Sequence, residues 1–77
     1  MKFLSWERFP IVYARRSNYE LLADGARTGI RVMWCGHPTA LRPYYVSTPR
    51  ENILGGRAYR TAKLAQAAAV EHFGAFI

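Results

Sequence analysis

The sequence predicts an α+β fold in which an antiparallel sheet of three to four strands packs against one C-terminal helix. Two observations carry this prediction. Segments rich in β-branched and aromatic residues, separated by Gly, Pro and Asn turn signals, fill the first half of the chain. An Ala-rich segment with helical periodicity follows near the C-terminus. At 77 residues, we expect a single domain, 1–77, with one small core.

The first strand is predicted over residues 9–14, FPIVYA, where β-branched and aromatic side chains cluster. Proline has no backbone N–H to donate to a sheet, so Pro10 indicates an edge strand or the start of a strand. A turn is then predicted at 15–18, where Arg-Arg-Ser-Asn ends the apolar run.

Residues 19–24, YELLAD, are compatible with two structures. Ser17 and Glu20 match a helix capping box, and Gly25 lies where a helix C-terminal glycine would. Alternatively, the segment is a strand that enters a turn at Asp24 and Gly25. We favour the strand, because an isolated helix of about seven residues is marginally stable.

The clearest strand is residues 30–35, and a further strand is predicted at 42–47, followed by a loop at 48–56. The 30–35 strand alternates between two faces, one with Ile30, Val32 and Trp34 and the other with Arg31, Met33 and Cys35. Both faces carry apolar side chains, although one helix covers only one face of a sheet. We therefore expect a second subunit or a target to cover the face of Arg31, Met33 and Cys35.

The predicted helix is residues 61–73, with Thr61 as N-cap and Gly74 just past the C-terminus. Its apolar side is expected to comprise Ala62, Leu64, Ala65, Ala68, Ala69, His72 and Phe73. The alanines would let the helix lie close to the sheet. Leu64 and Phe73 are expected to anchor its two ends, and His72 to be a hydrogen-bonded structural histidine.

The chain is strongly basic, with eleven Lys and Arg against five Asp and Glu and a formal charge of +6. This balance favours anionic partners and argues against a DNA mimic. Nine of the eleven basic residues are arginine, which contacts phosphate and carboxylate groups bidentately. A GC-rich coding sequence, which enriches Arg and Ala together, is the alternative explanation.

Cys35 is the only cysteine, so neither an internal disulfide nor a multi-cysteine zinc site is expected. A cytoplasmic location follows as the default. Glu7 and Arg8 interrupt the apolar region that a signal peptide would need. The sequence contains no stretch of about 18 apolar residues, so no membrane span is predicted. No cofactor and no metal site are predicted, and a membrane is not expected as a partner.

Catalysis is not predicted. Cys35 and His37 lack a third group that would orient a nucleophile pair. The five carboxylates are scattered, so paired acid–base chemistry is unsupported. Gly55-Gly56-Arg57 places glycine beside a cation but lacks the frame of a phosphate-binding loop. We interpret this segment as a flexible connector.

Basic residues fall into three local groups: Arg15 with Arg16, Arg27 with Arg31, and Arg57 with Arg60 and Lys63. The last group is spaced by three near the N-terminus of the predicted helix, which itself attracts anions. Tyr44-Tyr45, beside Arg42, resembles a stacking platform, although alternation turns only one ring to each face. The candidate partner-binding residues are Arg31, Met33, Arg42, Tyr44, Arg57, Arg60 and Lys63. The alternative is a solvated basic surface without a partner.

In size and layout, a short β-meander followed by the Ala-rich helix at 61–73, the chain resembles the anti-CRISPR proteins of phages and mobile elements. This resemblance implies a non-enzymatic inhibitor in the cytoplasm of a bacterial host. Such a protein docks on a CRISPR-Cas effector subunit and blocks target nucleic-acid binding or nuclease recruitment. Many members of that group are acidic, whereas this chain is basic, which favours an acidic protein patch or nucleic acid held by the complex.

Two other functions are considered. The layout is also similar to the arm-binding domains of tyrosine integrases and to AP2-type domains, which insert a sheet into the major groove of DNA. Arg31, Arg42 and Tyr44 would then contact DNA bases or backbone. A phage structural subunit that oligomerises, for example as a homodimer, through the open sheet face is the third.

Overall fold

The computed structural model describes residues 3–49 and 57–73. Within them the fold is α+β, as predicted: one antiparallel sheet in the order β1-β2-β3-β4-β5, followed by one helix. The elements are β1 (Leu4–Ile11), β2 (Arg16–Ala23), β3 (Ala26–Trp34), β4 (Tyr44–Ser47), β5 (Ala58–Tyr59) and α1 (Ala62–Phe73). The described sheet therefore has five strands, one more than the upper limit of the prediction.

The unpredicted strand is β5, which has only two residues. Tyr59 pairs with Tyr44 and Ala58 pairs with Tyr45, so β5 extends the sheet at the edge opposite β1. Two residues contain no alternation that a sequence pattern could reveal. The predicted loop at 48–56 is described only at Thr48 and Pro49, which lie outside the strands, and the rest of it lies outside the described residues.

The first hairpin is placed earlier in the chain than predicted. β1 begins at Leu4, five residues before the predicted strand, and Pro10 lies near its end. β1 is an edge strand, in agreement with the prediction from Pro10. The turn spans 12–15 instead of 15–18, because Arg15 adopts a left-handed backbone with φ 53° and Arg16 already pairs with Ile11.

Residues 19–24 belong mainly to a strand, as favoured. β2 ends at Ala23, and Asp24 and Gly25 form the turn with φ of 51° and 82°. Two positive φ values are typical of the tight turn whose twist matches a hairpin. The backbone of Asp24 also donates to the Phe3 carbonyl oxygen at 2.8 Å, which ties the start of β1 to this turn.

The core lies between one face of the sheet and α1, which contacts β3, β4 and β5. Ala65 and Ala69 have no exposed surface, so the helix lies close to the sheet, as the alanine stripe predicted. The buried strand residues facing them are Leu21, Ile30, Val32, Tyr44 and Val46. Among the described residues, no helix has the length and apolarity needed to cross a membrane.

The start of α1 agrees with the prediction, but its buried stripe is rotated. The Leu64 backbone N–H donates to Thr61 Oγ1 at 3.2 Å, which confirms Thr61 as N-cap. Leu64 was predicted as an anchor but is 53% exposed, whereas Val70 packs against the core. His72 is exposed and not in the apolar side, and its ring meets Phe73 edge-on at 4.7 Å. Gly74 lies outside the described residues.

A bulge in β3 interrupts its pairing with β2. Glu20 pairs with Arg31 and Leu22 with Arg27, so Leu21 alone faces three residues of β3. Thr28 fills the gap: its hydroxyl donates to the Leu21 carbonyl at 2.8 Å and accepts from the Ile30 N–H at 3.1 Å. Because residues opposite Glu20 and Leu22 share a face, the bulge still leaves Arg27 and Arg31 on the sheet face away from the helix.

Gly29, in this bulge, is expected to be the least replaceable of the described glycines. Gly25, Gly29 and Gly36 have similar φ of 80–89°, but only at Gly29 would a Cβ meet an obstacle, Pro49 Cγ at 2.8 Å. Alanine at any of the three positions costs about 1–2 kcal/mol of left-handed strain. We expect Gly29→Ala to lower the free energy of unfolding by about 2–3 kcal/mol, measured by urea denaturation.

The matched controls are Gly25→Ala and Gly36→Ala, which share the backbone strain but have open space around the new methyl group. Adding Pro49→Ala to Gly29→Ala should recover the difference between Gly29→Ala and the controls. Equal losses at all three glycines would show that the Pro49 ring moves aside without cost.

Candidate anion-binding groove

Three arginines surround an open groove of about 610 Å³ at the β5 edge of the sheet. Arg42 comes just before β4, and Arg57 and Arg60 flank β5. The remaining described lining residues are Ala58, Tyr59 and Leu64, the last from the first turn of α1. We call this the basic groove.

Strand pairing explains why residues so far apart in the sequence meet here. The antiparallel pair Tyr44–Tyr59 sets the segment before β4 beside the segment after β5. Arg42 and Arg60 are therefore neighbours at one end of the sheet. Arg60 is followed at once by Thr61, the N-cap of α1, so the N-terminal end of the helix dipole adds to the positive potential of this corner.

The charges of the basic groove are not neutralised within the described part of the chain. Over residues 3–49 and 57–73, the ion pairs are those of Arg27 and Arg31 with Glu7 and Glu20, and none involves an arginine of the groove. A guanidinium group presents five N–H donors in a planar fork that matches phosphate and carboxylate oxygens. Three such groups around one open groove can hold an anionic group or a run of them.

The open sheet face, the one opposite α1, has a different electrostatic character. Arg31 Nε lies 3.0 Å from Glu20 Oε1, and Arg27 Nη2 lies 3.2 Å from Glu7 Oε1. The Glu20 side chain is only 3% exposed although it lies on the face opposite α1, because Arg27 and Arg31 lie against it. Two arginines and two glutamates thus balance each other on this face.

The predicted patch of Arg31, Met33 and Cys35 is divided by this arrangement. Arg31 is engaged with Glu20 and is not a free cation. Met33 is half-buried on the open sheet face. Cys35 lies just past β3, where its backbone N–H donates to the Pro43 carbonyl oxygen at 2.7 Å. The sequence could not show the Arg31–Glu20 pair, because the bulge sets its register.

The other predicted contact residues lie in three different parts of the structure. Arg42, Arg57 and Arg60 come together in the basic groove. Tyr44, predicted as a contact residue, is 7% exposed and packs in the core; its neighbour Tyr45, half-buried, takes the open sheet face. Lys63 is exposed in the first turn of α1 but is not among the described lining residues of the groove.

Three described lining residues were not predicted from the sequence. Ala58 and Tyr59 form the two-residue strand β5, which leaves no pattern. Leu64 was placed in the core because it falls at the margin of the helical stripe, and the rotation of α1 turns it to the groove. In the described ranges there is no group of three or more His, Cys, Asp or Glu placed to hold a metal ion.

Comparison of the chain with protein-family models, with curated proteins and with solved structures found no match. The groove and the open sheet face are therefore the basis for a functional proposal.

Proposed function

We propose that the protein is a non-enzymatic binding protein that holds nucleic acid in the basic groove. The observation that carries this proposal is the convergence of Arg42, Arg57 and Arg60, none of them in an ion pair with a described residue. A phosphodiester backbone presents repeated anionic oxygens, which is the chemistry that several arginines on one surface recognise.

The distribution of charge supports binding of nucleic acid in the basic groove. It does not favour insertion of the sheet into DNA, the mode predicted from the resemblance to integrase and AP2-type domains. In that mode Arg31, Arg42 and Tyr44 would reach the DNA, but Arg31 is paired with Glu20, Tyr44 is in the core, and only Arg42 lies in the groove. Three arginines without an ion-pair partner among the described residues lie instead at the β5 edge. The formal charge of +6 adds a long-range attraction to a polyanion.

Binding, not catalysis, is proposed because of the side chains that line the groove. The described lining residues offer guanidinium groups, one phenol and apolar surface. A hydrolytic or transfer reaction would require a placed nucleophile or a general base, usually His, Cys or a carboxylate. The proposed role is therefore to occupy or position a nucleic-acid strand.

The test is the salt dependence of binding by the unmodified protein. Fluorescence anisotropy with a labelled 20-base-pair duplex and a labelled dT20 strand, at 50–300 mM KCl, gives the slope of log K against log salt. The three phosphate contacts of the groove contribute about −2.7 to the slope on duplex DNA and about −2 on a single strand. Absence of binding at 50 mM KCl, or affinity that does not respond to salt, would contradict the proposal.

An inhibitor of the anti-CRISPR type is the second candidate, and the open sheet face favours it. Its balanced charges, with Phe9 partly exposed and Met33 half-buried beside them, suit a protein surface better than phosphates. Purified protein mixed with a purified CRISPR effector should then prevent target-DNA binding in a gel-shift assay. Phe9→Ser should relieve the inhibition, and the groove arginines should not matter. Equal inhibition by Phe9→Ser and the unmodified protein would count against this face.

A further inference from the structure

The tip of the β1–β2 hairpin exposes two large apolar side chains. Val12 is 95% exposed and Tyr13 is 87% exposed, the two highest exposed fractions among the described large hydrophobic residues. The sequence placed both residues inside a strand, where one of them would have faced the core. Together they form a small apolar surface at the turn, which a partner can cover.

Hydrogen bonding and strand pairing fix the backbone of this turn. The Ala14 N–H donates to the Ile11 carbonyl oxygen at 3.1 Å, and Arg15 closes the turn in the left-handed conformation at φ 53°. Ile11 and Arg16 form the last pair of the ladder directly beneath. The backbone of the tip is thus fixed by the hairpin, which keeps Tyr13 pointing away from the core at a small entropic cost on binding.

The tip is also cationic. Arg15 and Arg16 are exposed, and neither is in any of the ion pairs among the described residues. Glu7 and Glu20, the glutamates of the hairpin, are opposite each other four residue pairs below the Ile11–Arg16 pair, and both are engaged with arginines of β3. An aromatic ring beside two free guanidinium groups is complementary to a base flanked by phosphates.

The topology brings this tip to the same end of the sheet as the basic groove. In an antiparallel meander, the β1–β2 turn, the β3–β4 loop and the β5–α1 junction all lie at one end. Arg42 and Arg60 belong to the second and third of these connections. β2 and β5 are three strand spacings apart, about 14 Å, which a few nucleotides of one strand span.

We propose that the hairpin tip is a second contact for an unpaired nucleic-acid strand, with Tyr13 stacked on a base and Arg15 and Arg16 at the adjacent phosphates. This inference rests on the proposed function and adds a preference for single strands to it. In a duplex the base faces are covered by their neighbours, so a protruding ring has no face to stack on. An unpaired strand offers one at every nucleotide.

The experiment compares two probes that differ only in their bases: dT20 and a 20-mer of abasic deoxyribose phosphate, both labelled, at 100 mM KCl. Tyr13→Ala should weaken binding to dT20 about tenfold and change binding to the abasic strand less than about twofold. Tyr13→Phe should bind dT20 like the unmodified protein. Arg15→Gln and Arg16→Gln should each weaken binding to both probes. Each should reduce the size of the slope of log K against log salt by about 0.7. Circular dichroism verifies that the variants are folded.

The outcomes separate the two proposals. If the unmodified protein binds neither of these probes nor the 20-base-pair duplex, the nucleic-acid function itself fails; if it binds only the duplex, the single-strand contact is overturned. If it binds both but Tyr13→Ala binds dT20 normally, the groove remains and the stacking contact is overturned. If Tyr13→Ala weakens binding to a 20-base-pair duplex as much as binding to dT20, the single-strand preference is overturned. Loss of a dimer on Tyr13→Ala in sedimentation, without an effect on dT20, makes the tip a self-association surface instead.

Discussion

Replacing Arg42, Arg57 and Arg60 together by glutamine is expected to weaken nucleic-acid binding by about two orders of magnitude at 0.15 M salt. Each phosphate contact releases about 0.9 counterion from duplex DNA, so three lost contacts remove a slope of about 2.7 from log K against log salt. The side chains line one open groove and have no ion-pair partner among the described residues, so their removal should leave the fold intact. Anisotropy titrations at several salt concentrations measure both the affinity and the slope.

A matched control removes the same charge from a position where it is already neutralised. Arg27 is paired with Glu7 at 3.2 Å, so Arg27→Gln should change the affinity less than about twofold, against about fivefold for each single groove substitution. Lysine at the three groove positions should retain the salt slope, because it keeps the charge. If Arg27→Gln weakens binding as much as Arg42→Gln, net charge alone accounts for affinity, and the groove is not a site.

The fold was predictable where a segment is long enough to show a period. Ile30, Val32 and Trp34 alternate as a half-buried strand must, and all three pack in or against the core. The N-cap at Thr61 was predicted from a local hydrogen bond that needs only the identity of one side chain. Both signals are local, so a single sequence is sufficient to find them.

The site was only partly predictable, because it depends on register. Arg57 and Arg60 could be grouped by spacing, but their meeting with Arg42 requires a two-residue strand, β5. Arg31 was the opposite case: its neutralisation by Glu20 depends on a bulge that shifts the pairing of β2 and β3. Pairing between distant segments is a tertiary property, and one-residue changes in it exchange the faces of a strand.

Ala65→Leu and Ala69→Leu, combined, are expected to lower the free energy of unfolding by about 2–6 kcal/mol and to unfold much of the protein at 37 °C. Both alanines are completely buried between α1 and the sheet, and each substitution adds three carbons to a packed interface. Overpacking costs about 1–3 kcal/mol at each site. A chain of this length has a total stability of roughly 4–12 kcal/mol. Thermal and urea denaturation followed by circular dichroism measure the loss.

Ala67→Leu is the matched control, since Ala67 lies exposed on the same helix and leucine is nearly as good a helix former as alanine. It should change stability by less than about 0.5 kcal/mol.

The single variants Ala65→Leu and Ala69→Leu also connect packing to function. α1 begins directly after Arg60 and carries Leu64 into the groove, so a helix pushed off the sheet should weaken nucleic-acid binding while the protein is still folded. Normal affinity and normal stability in both single variants would mean that the interface between α1 and the sheet accommodates a larger side chain. The position of α1 would then not determine the geometry of the basic groove.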